Sequence, residues 1–280
     1  MTDIDGQQRR RLRAHFGFAK IPFNKKIWAR QMFDSSSQRD LLAGLHMWTE
    51  LGGVCLVTGP SGVGKSITLR RFVAELDDAR YRVIDFSYLP TTVNGFLRSL
   101  CRALDLPMRR HASDLFDAAQ RHLISFEQEH GAHPVVIIDD AEGLAVEVAD
   151  TLRRLTCYDL DAEDRFSLLI SGTEDVMKVL RAPSLDTWRN RVVYTHSLRP
   201  FTNEDTLNYV RFHLERASVN PKLFTDTAIK RLFQASHGKP RLINQLATQA
   251  LIEAAVRGMD TIPGDFLGNL VDAHPLYTTS

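Results

Sequence analysis

The stretch GPSGVGKS, from Gly59 to Ser66, has the Gly-x-x-x-x-Gly-Lys-Ser spacing of a phosphate-cradling loop. Each residue type suits its place. Gly59, Gly62 and Gly64 let backbone N–H groups turn toward one centre, and Pro60, Ser61 and Val63 complete the wrap. Lys65 is placed to reach the β and γ phosphates, and the Ser66 hydroxyl to ligate Mg²⁺. Ile67 follows in the first turn of a helix-forming run, KSITLRRFVAEL, whose N-terminal dipole favours an anion. The ligand this chemistry implies is ATP with Mg²⁺.

A second group completes such a site. The apolar run VVII ends in Asp139, where a strand would deliver a carboxylate that holds Mg²⁺ through water. The next position normally positions the attacking water, and glutamate is usual there. This chain has Asp140, one methylene shorter. Either Asp140 works with altered reach, or hydrolysis is slow and the ATP-bound state persists. Glu142 is a candidate stand-in, and otherwise faces solvent. Thr173, with Ser171 behind it, closes the run LLISGT and could touch the γ phosphate or the water. The alternative is a pair of plain strand-end hydroxyls. Arg189 and Arg191 precede another apolar run, where one of them could reach a neighbouring subunit's γ phosphate. Such an arginine finger is worth ~10³–10⁵ in rate; the alternative is two surface arginines. Pro240 fixes a helix start, so Arg241 beside it is constrained in direction and could sense the phosphates from a lid.

The elements that position these groups are visible as short β-rich runs at 52–59, 81–88, 134–139, 166–172 and 191–198. Their near-continuous apolar character predicts strands buried on both faces. Helix-length segments separate most of them, which predicts an α/β fold: a five-stranded parallel sheet between helices. After Leu198 the pattern becomes helical. Thr202 with Asp205 predicts a capping box, Gly238 a helix stop, and Pro240 a helix first turn. The expected domains are a basic N-terminal lead (1–28), an α/β core (29–200) and a small helical lid with its tail (201–280).

Composition bounds the rest. The chain has 280 residues, 44% hydrophobic and 25% charged, with net charge +1, so no global field drives it onto a polyanion and any such binding uses a local patch. Cys55, Cys101 and Cys157 are scattered and outside metal-ligand spacing, which predicts free thiols in a reducing compartment. No apolar run approaches the ~20 residues of a membrane helix, and the first twenty residues lack an apolar signal core. The expectation is a cytoplasmic protein with no membrane partner.

Candidate contacts to duplex DNA lie between the second and third runs. Arg98 and Arg102 share a helix face, Arg109, Arg110 and His111 follow in a turn, and Thr91, Thr92 and Asn94 can donate to phosphates. Few aromatics interleave, so backbone contact without sequence reading is expected. The alternative is a solvated amphipathic helix. Arg9, Arg10, Arg11 and Arg13 could also touch DNA or form a mobile arm. Phe16, Phe18, Ile21, Pro22 and Phe23 are expected to pack by the adenine or the core, and the tail HPLYTTS to be exposed.

Phosphate loop, acidic strand end, arginine before the fifth run and lid arginine after Gly-x-Pro together resemble the AAA+ ATPases. HFGFAKIPFNKKI, LRRLTCYDLDAEDRFSLLISG, HSLRPFTNEDTLNYVRFHL and HGKPRLINQLATQALIEA, in that order, resemble its ExeA-like branch. That branch includes secretion-associated ATPases and transposon-encoded helper ATPases such as TnsC, TniB and IstB. Length and lack of a membrane segment favour the second group. The resemblance then implies an ATPase that assembles on duplex DNA as a ring or filament. It also implies recruitment of a transposase, with or without a targeting adaptor. Asp140 departs from the family's glutamate and puts the hydrolysis rate in question.

Overall fold

The computed structural model describes residues 12–24, 31–86, 90–157 and 165–273, with backbone only at Arg189. Arg9, Arg10, Arg11 and the tail HPLYTTS therefore lie outside the described residues. Contacts divide the chain into two units: Ser36–Ser61 with Lys65–Leu198, and Met1–Ser35 with Gly62–Gly64 and Arg199–Ser280.

The first unit is built on strands β1 (Val54–Thr58), β2 (Tyr81–Phe86), β3 (His133–Ile138), β4 (Ser167–Gly172) and β5 (Val192–Ser197). All pairs are parallel, in the order β2-β3-β4-β1-β5. The three central strands are buried almost throughout, as their unbroken Val, Ile and Leu runs require. The two edge strands differ from that expectation. Tyr81–Phe86 and Val192–Ser197 alternate buried or half-buried with exposed positions, because flanking helices cover the middle of a sheet before its margins.

Helices α1 (Ser36–Leu51), α2 (Lys65–Glu75), α3 (Val93–Ala103), α4 (Ala112–His130) and α5 (Val146–Thr156) flank the sheet, with short α6 (Asp175–Leu180) and α7 (Asp186–Arg189) before β5. Helix α3 shows why the segment is helical. Phe96, Leu97, Leu100 and Cys101 recur on one face and are buried with Leu115, Leu123 and Leu152 against Val136, Ile138 and Ile170. Trp188 closes this core, its indole N–H donating to the Ala149 carbonyl at 2.9 Å.

Strand register sets up the site. Ile138 lies opposite Ile170, and Thr58 opposite Gly172. The residues that follow β3, β4 and β1 therefore leave the sheet side by side at its C-terminal edge, where open α/β sheets bind ligands.

The second unit holds helices α8 (Asn203–Arg216), α9 (Asp226–Ser236), α10 (Pro240–Val256) and α11 (Gly264–Asp272). The Thr202–Asp205 capping box is present in both directions, Pro240 sits in the first turn of α10, and Gly238 has φ +69°. The N-terminal segment packs here. Phe18 and Phe23 are buried among Val210, Leu214, Phe224 and Leu246, and Phe16 packs against the same cluster. Ala19 N–H donates to Ala217 O at 3.0 Å, and Phe23 N–H to His213 Nδ1 at 3.4 Å. These phenylalanines therefore seat in the hydrophobic core of the helical unit, where Phe201, Tyr209 and Phe224 offer an aromatic face.

Candidate functional site

The loop Gly59–Ser66 joins β1 to α2, as its spacing predicts. Lys65 is buried, 5% exposed, and its ammonium donates to the carbonyls of Gly59 (2.9 Å) and Pro60 (3.3 Å). The loop's own backbone thus holds the cation inside the ring where an anion's oxygens would compete for it. Ser66 and Ile67 are half-buried in the first turn of α2. Gly62 has φ +78° and Gly64 φ +115°, conformations that L side chains rarely adopt. Gly62 meets a second demand. A Cβ there would lie 2.9 Å from Cβ of Arg241, whose N–H donates to the Gly62 carbonyl at 3.2 Å. Pro240 and Arg241 are therefore seated on the loop residues that group with their own unit.

Asp139 directly follows β3, and its Oδ1 is shielded from solvent with no hydrogen-bond partner among the described residues. The hydroxyls of Ser171, inside β4, and Thr173, just past it, share that condition. Each such group costs about 1–3 kcal/mol if it stays unmatched. Register brings Asp139 and the β4 end together, and the loop leaves β1 on the other side of β4. The donor set suits magnesium nucleotide: a serine and an aspartate for the metal, a buried lysine and loop amides for the phosphates. Ser66 and Asp139 would hold Mg²⁺, which when bound would offset phosphate charge. The Thr173 hydroxyl helps Lys178, the larger cause, hold the Asp175 carboxyl below its ordinary range, yet it falls outside hydrogen-bond geometry.

Asp140 is exposed and adopts a left-handed conformation, φ 51° and ψ 46°, capping the 3₁₀ turn Ala141–Gly143. Glu142 is an exposed residue whose carboxylate does not simply face solvent: Oε1 accepts the Thr173 backbone N–H at 2.9 Å. The sequence marked both residues without showing that they meet. Arg191 is tied within its own chain, donating to Thr156 O at 3.2 Å and Cys157 Sγ at 3.4 Å.

Farther along, Thr92 is the N-cap of α3, its hydroxyl accepting from Gly95 N–H at 3.2 Å. Its O–H remains able to donate. Thr91, Asn94, Arg102, Arg109 and Arg110 are exposed and Arg98 half-buried. None of the four guanidiniums makes an ion pair or hydrogen bond among the described residues. Also among these residues, no cluster of three metal-ligating side chains exists, and no helix is long and apolar enough to cross a membrane.

A phosphate loop after β1, an acidic end on β3 and a polar end on β4 between them, in the order β2-β3-β4-β1-β5, define the P-loop AAA+ fold. Residues 49–180 match the family described as the AAA domain. Over 253 residues the chain is 30% identical to general secretion pathway protein A of Aeromonas hydrophila. The match covers 88% of this chain but spans only 45% of that relative. Two solved structures share the fold. Cdc6p of Pyrobaculum aerophilum is 20% identical, with 86% of this chain and 67% of that one covered at a TM-score of 0.65. The ORC2 protein of Aeropyrum pernix, solved as ADPNP-ADP complexes, is 13% identical, with 92% and 72% covered at a TM-score of 0.69.

Proposed function

We propose that this protein is an ATPase whose ATP-bound form assembles on duplex DNA and there recruits or activates a transposase. Lys65 and the loop amides bind the phosphates, Ser66 and Asp139 hold Mg²⁺, and Asp140 and Thr173 act on water and γ phosphate. Arg189 or Arg191 serves a neighbouring subunit, and Arg241 senses from the helical unit. The observation that carries the DNA reading is the group Arg98, Arg102, Arg109 and Arg110, four guanidiniums without a partner among the described residues on a chain of net charge only +1. Two to four phosphate contacts bind weakly alone. An oligomer that repeats them along a duplex gains by multivalency, which gives ATP-driven assembly a purpose. The transposase partner is supported by the resemblance to transposon helpers.

The 30% identity to a secretion-pathway protein favours a second reading, an ATPase of envelope assembly with a protein partner. Binding to a random-sequence duplex with ATP, with ADP and without nucleotide, across a salt series, separates the two. Tight, ATP-dependent, salt-steep binding supports the first. Absence of binding under every condition refutes it and leaves the second.

A further inference from the structure

We infer that Glu142 is a positioning residue for ATP hydrolysis, acting through Thr173; this rests on the ATPase reading above. Its Oε1 accepts the Thr173 backbone N–H at 2.9 Å across 31 residues of chain. One end of this link stands on the 3₁₀ turn that follows Asp139 and Asp140. The other is the first residue past β4. The link thus spans two strand ends that register already sets side by side.

The surroundings pack closely on this link. A Cβ on Gly172 would collide with Val176 Cγ2, so glycine lets α6 close on the β4 end, while the Ala141 N–H of the turn lies at ordinary contact distance, 3.5 Å from that position. Asp140 enters the turn in a left-handed conformation, φ 51°, which costs energy in a non-glycine residue and persists where neighbours hold it. The same two strands carry, at or near their ends, three shielded oxygens without a hydrogen-bond partner among the described residues: Asp139 Oδ1, Ser171 Oγ and Thr173 Oγ1. A threonine hydroxyl swings only between a few staggered χ1 positions set by its backbone. Pinning the Thr173 N–H fixes the Cα–Cβ bond from which Oγ1 projects, and pinning it to this turn limits the positions Oγ1 can take relative to Asp139 and Asp140. With Asp140 short by a methylene, the placement of its water partner tolerates less error.

A hydrogen-bond acceptor needs no charge, whereas a base does. Glu142→Gln keeps an acceptor oxygen; Glu142→Ala keeps none. ATP turnover in the whole protein is expected to fall in kcat by roughly 10–100-fold in Glu142→Ala, the cost of misplacing a reacting group by about an ångström. KM and ADP affinity should hold. Glu142→Gln should recover most of the loss. Thr173→Ala should lose a similar factor, and the double variant Glu142→Ala/Thr173→Ala little more, since both act through one hydroxyl. A glutamine variant as poor as alanine makes Glu142 a charged participant and overturns the inference. An alanine variant equal to wild type shows the link to be idle. If the wild type hydrolyses no ATP, the ATPase reading fails by itself. The link is then read from the affinity ratio for a non-hydrolysable ATP analogue over ADP. Glu142→Ala should bring that ratio toward one and Glu142→Gln restore it; a ratio unmoved by Glu142→Ala again overturns the inference.

Discussion

Lowering the pH should loosen the helical unit through one residue, His213. It is 3% exposed, and burial first, the Arg216 charge second, pushes its imidazole down from 6.5 to about 4. Nδ1 accepts the Phe23 N–H, Phe23 and Tyr209 rings lie 5.0 and 4.5 Å away, and Nε2 has no partner among the described residues. The native state therefore holds this ring neutral while the unfolded chain protonates it near its ordinary value. Between these two values the unfolded state binds more protons, so stability rises with pH. The contribution is fully present above about 6.5, shrinks as pH falls, and is gone below about 4. At about 1.36 kcal/mol per pH unit it amounts to about 3 kcal/mol. Urea unfolding followed by far-UV circular dichroism from pH 4 to 7.5 measures it, with hydrogen exchange of Asn203–Arg216 as the local probe. Carboxylates add their own slope, so the comparison is with His213→Gln, which carries no titrating ring. The wild type should lose about 3 kcal/mol more than the variant across the window. Parallel curves would refute the reasoning.

Other perturbations have equally definite outcomes. Lys65→Ala should abolish ATP binding and any ATP-dependent assembly, read by fluorescent-nucleotide titration and sedimentation. Gly62→Ala should destabilise the protein by roughly 1–3 kcal/mol in thermal unfolding, because its φ of +78° is strained for alanine and its Cβ meets Arg241 at 2.9 Å. Asp140→Glu should raise steady-state turnover if the missing methylene limits water placement; equal rates would mean that the aspartate reaches far enough. Replacing Arg98, Arg109 and Arg110 by Gln should reduce the slope of log K against log salt for DNA by up to about 0.9 for each phosphate no longer neutralised, and an unchanged slope would move the surface elsewhere.

The phosphate loop, the Asp139 strand end and the capping box at Thr202 were legible because each is local: a few neighbouring residues determine the geometry. The three central strands were legible because burial on both faces writes itself as unbroken apolar residues. The edge strands read as apolar runs too, yet the flanking helices leave Arg82 and Asp85 open in one and Val193, Thr195 and Ser197 open in the other. What the sequence hid depends on long-range meetings. Nothing in the spacing shows that the Arg191 guanidinium donates to Thr156 and Cys157, some thirty-five residues earlier. Glu142 and Thr173 stood as separate candidates because nothing in their spacing encodes the turn that joins them. Phe18 and Phe23 carry an apolar signal without an address; only the finished aromatic face of the helical unit supplies one.

That last meeting has a consequence in time. His15 Nε2 reaches the Met259 carbonyl across 244 residues, and Phe23 reaches His213 across 190. At ~5–20 residues per second, a ribosome finishing the intervening chain needs on the order of ten to fifty seconds. Throughout that interval Phe18 and Phe23 have no seat, since the residues they pack on do not yet exist. The loop they close is long, and its closure waits on the far side of the helical unit. In assembly order these phenylalanines act as a fastener that engages only after Val210, Leu214 and Leu246 have been made.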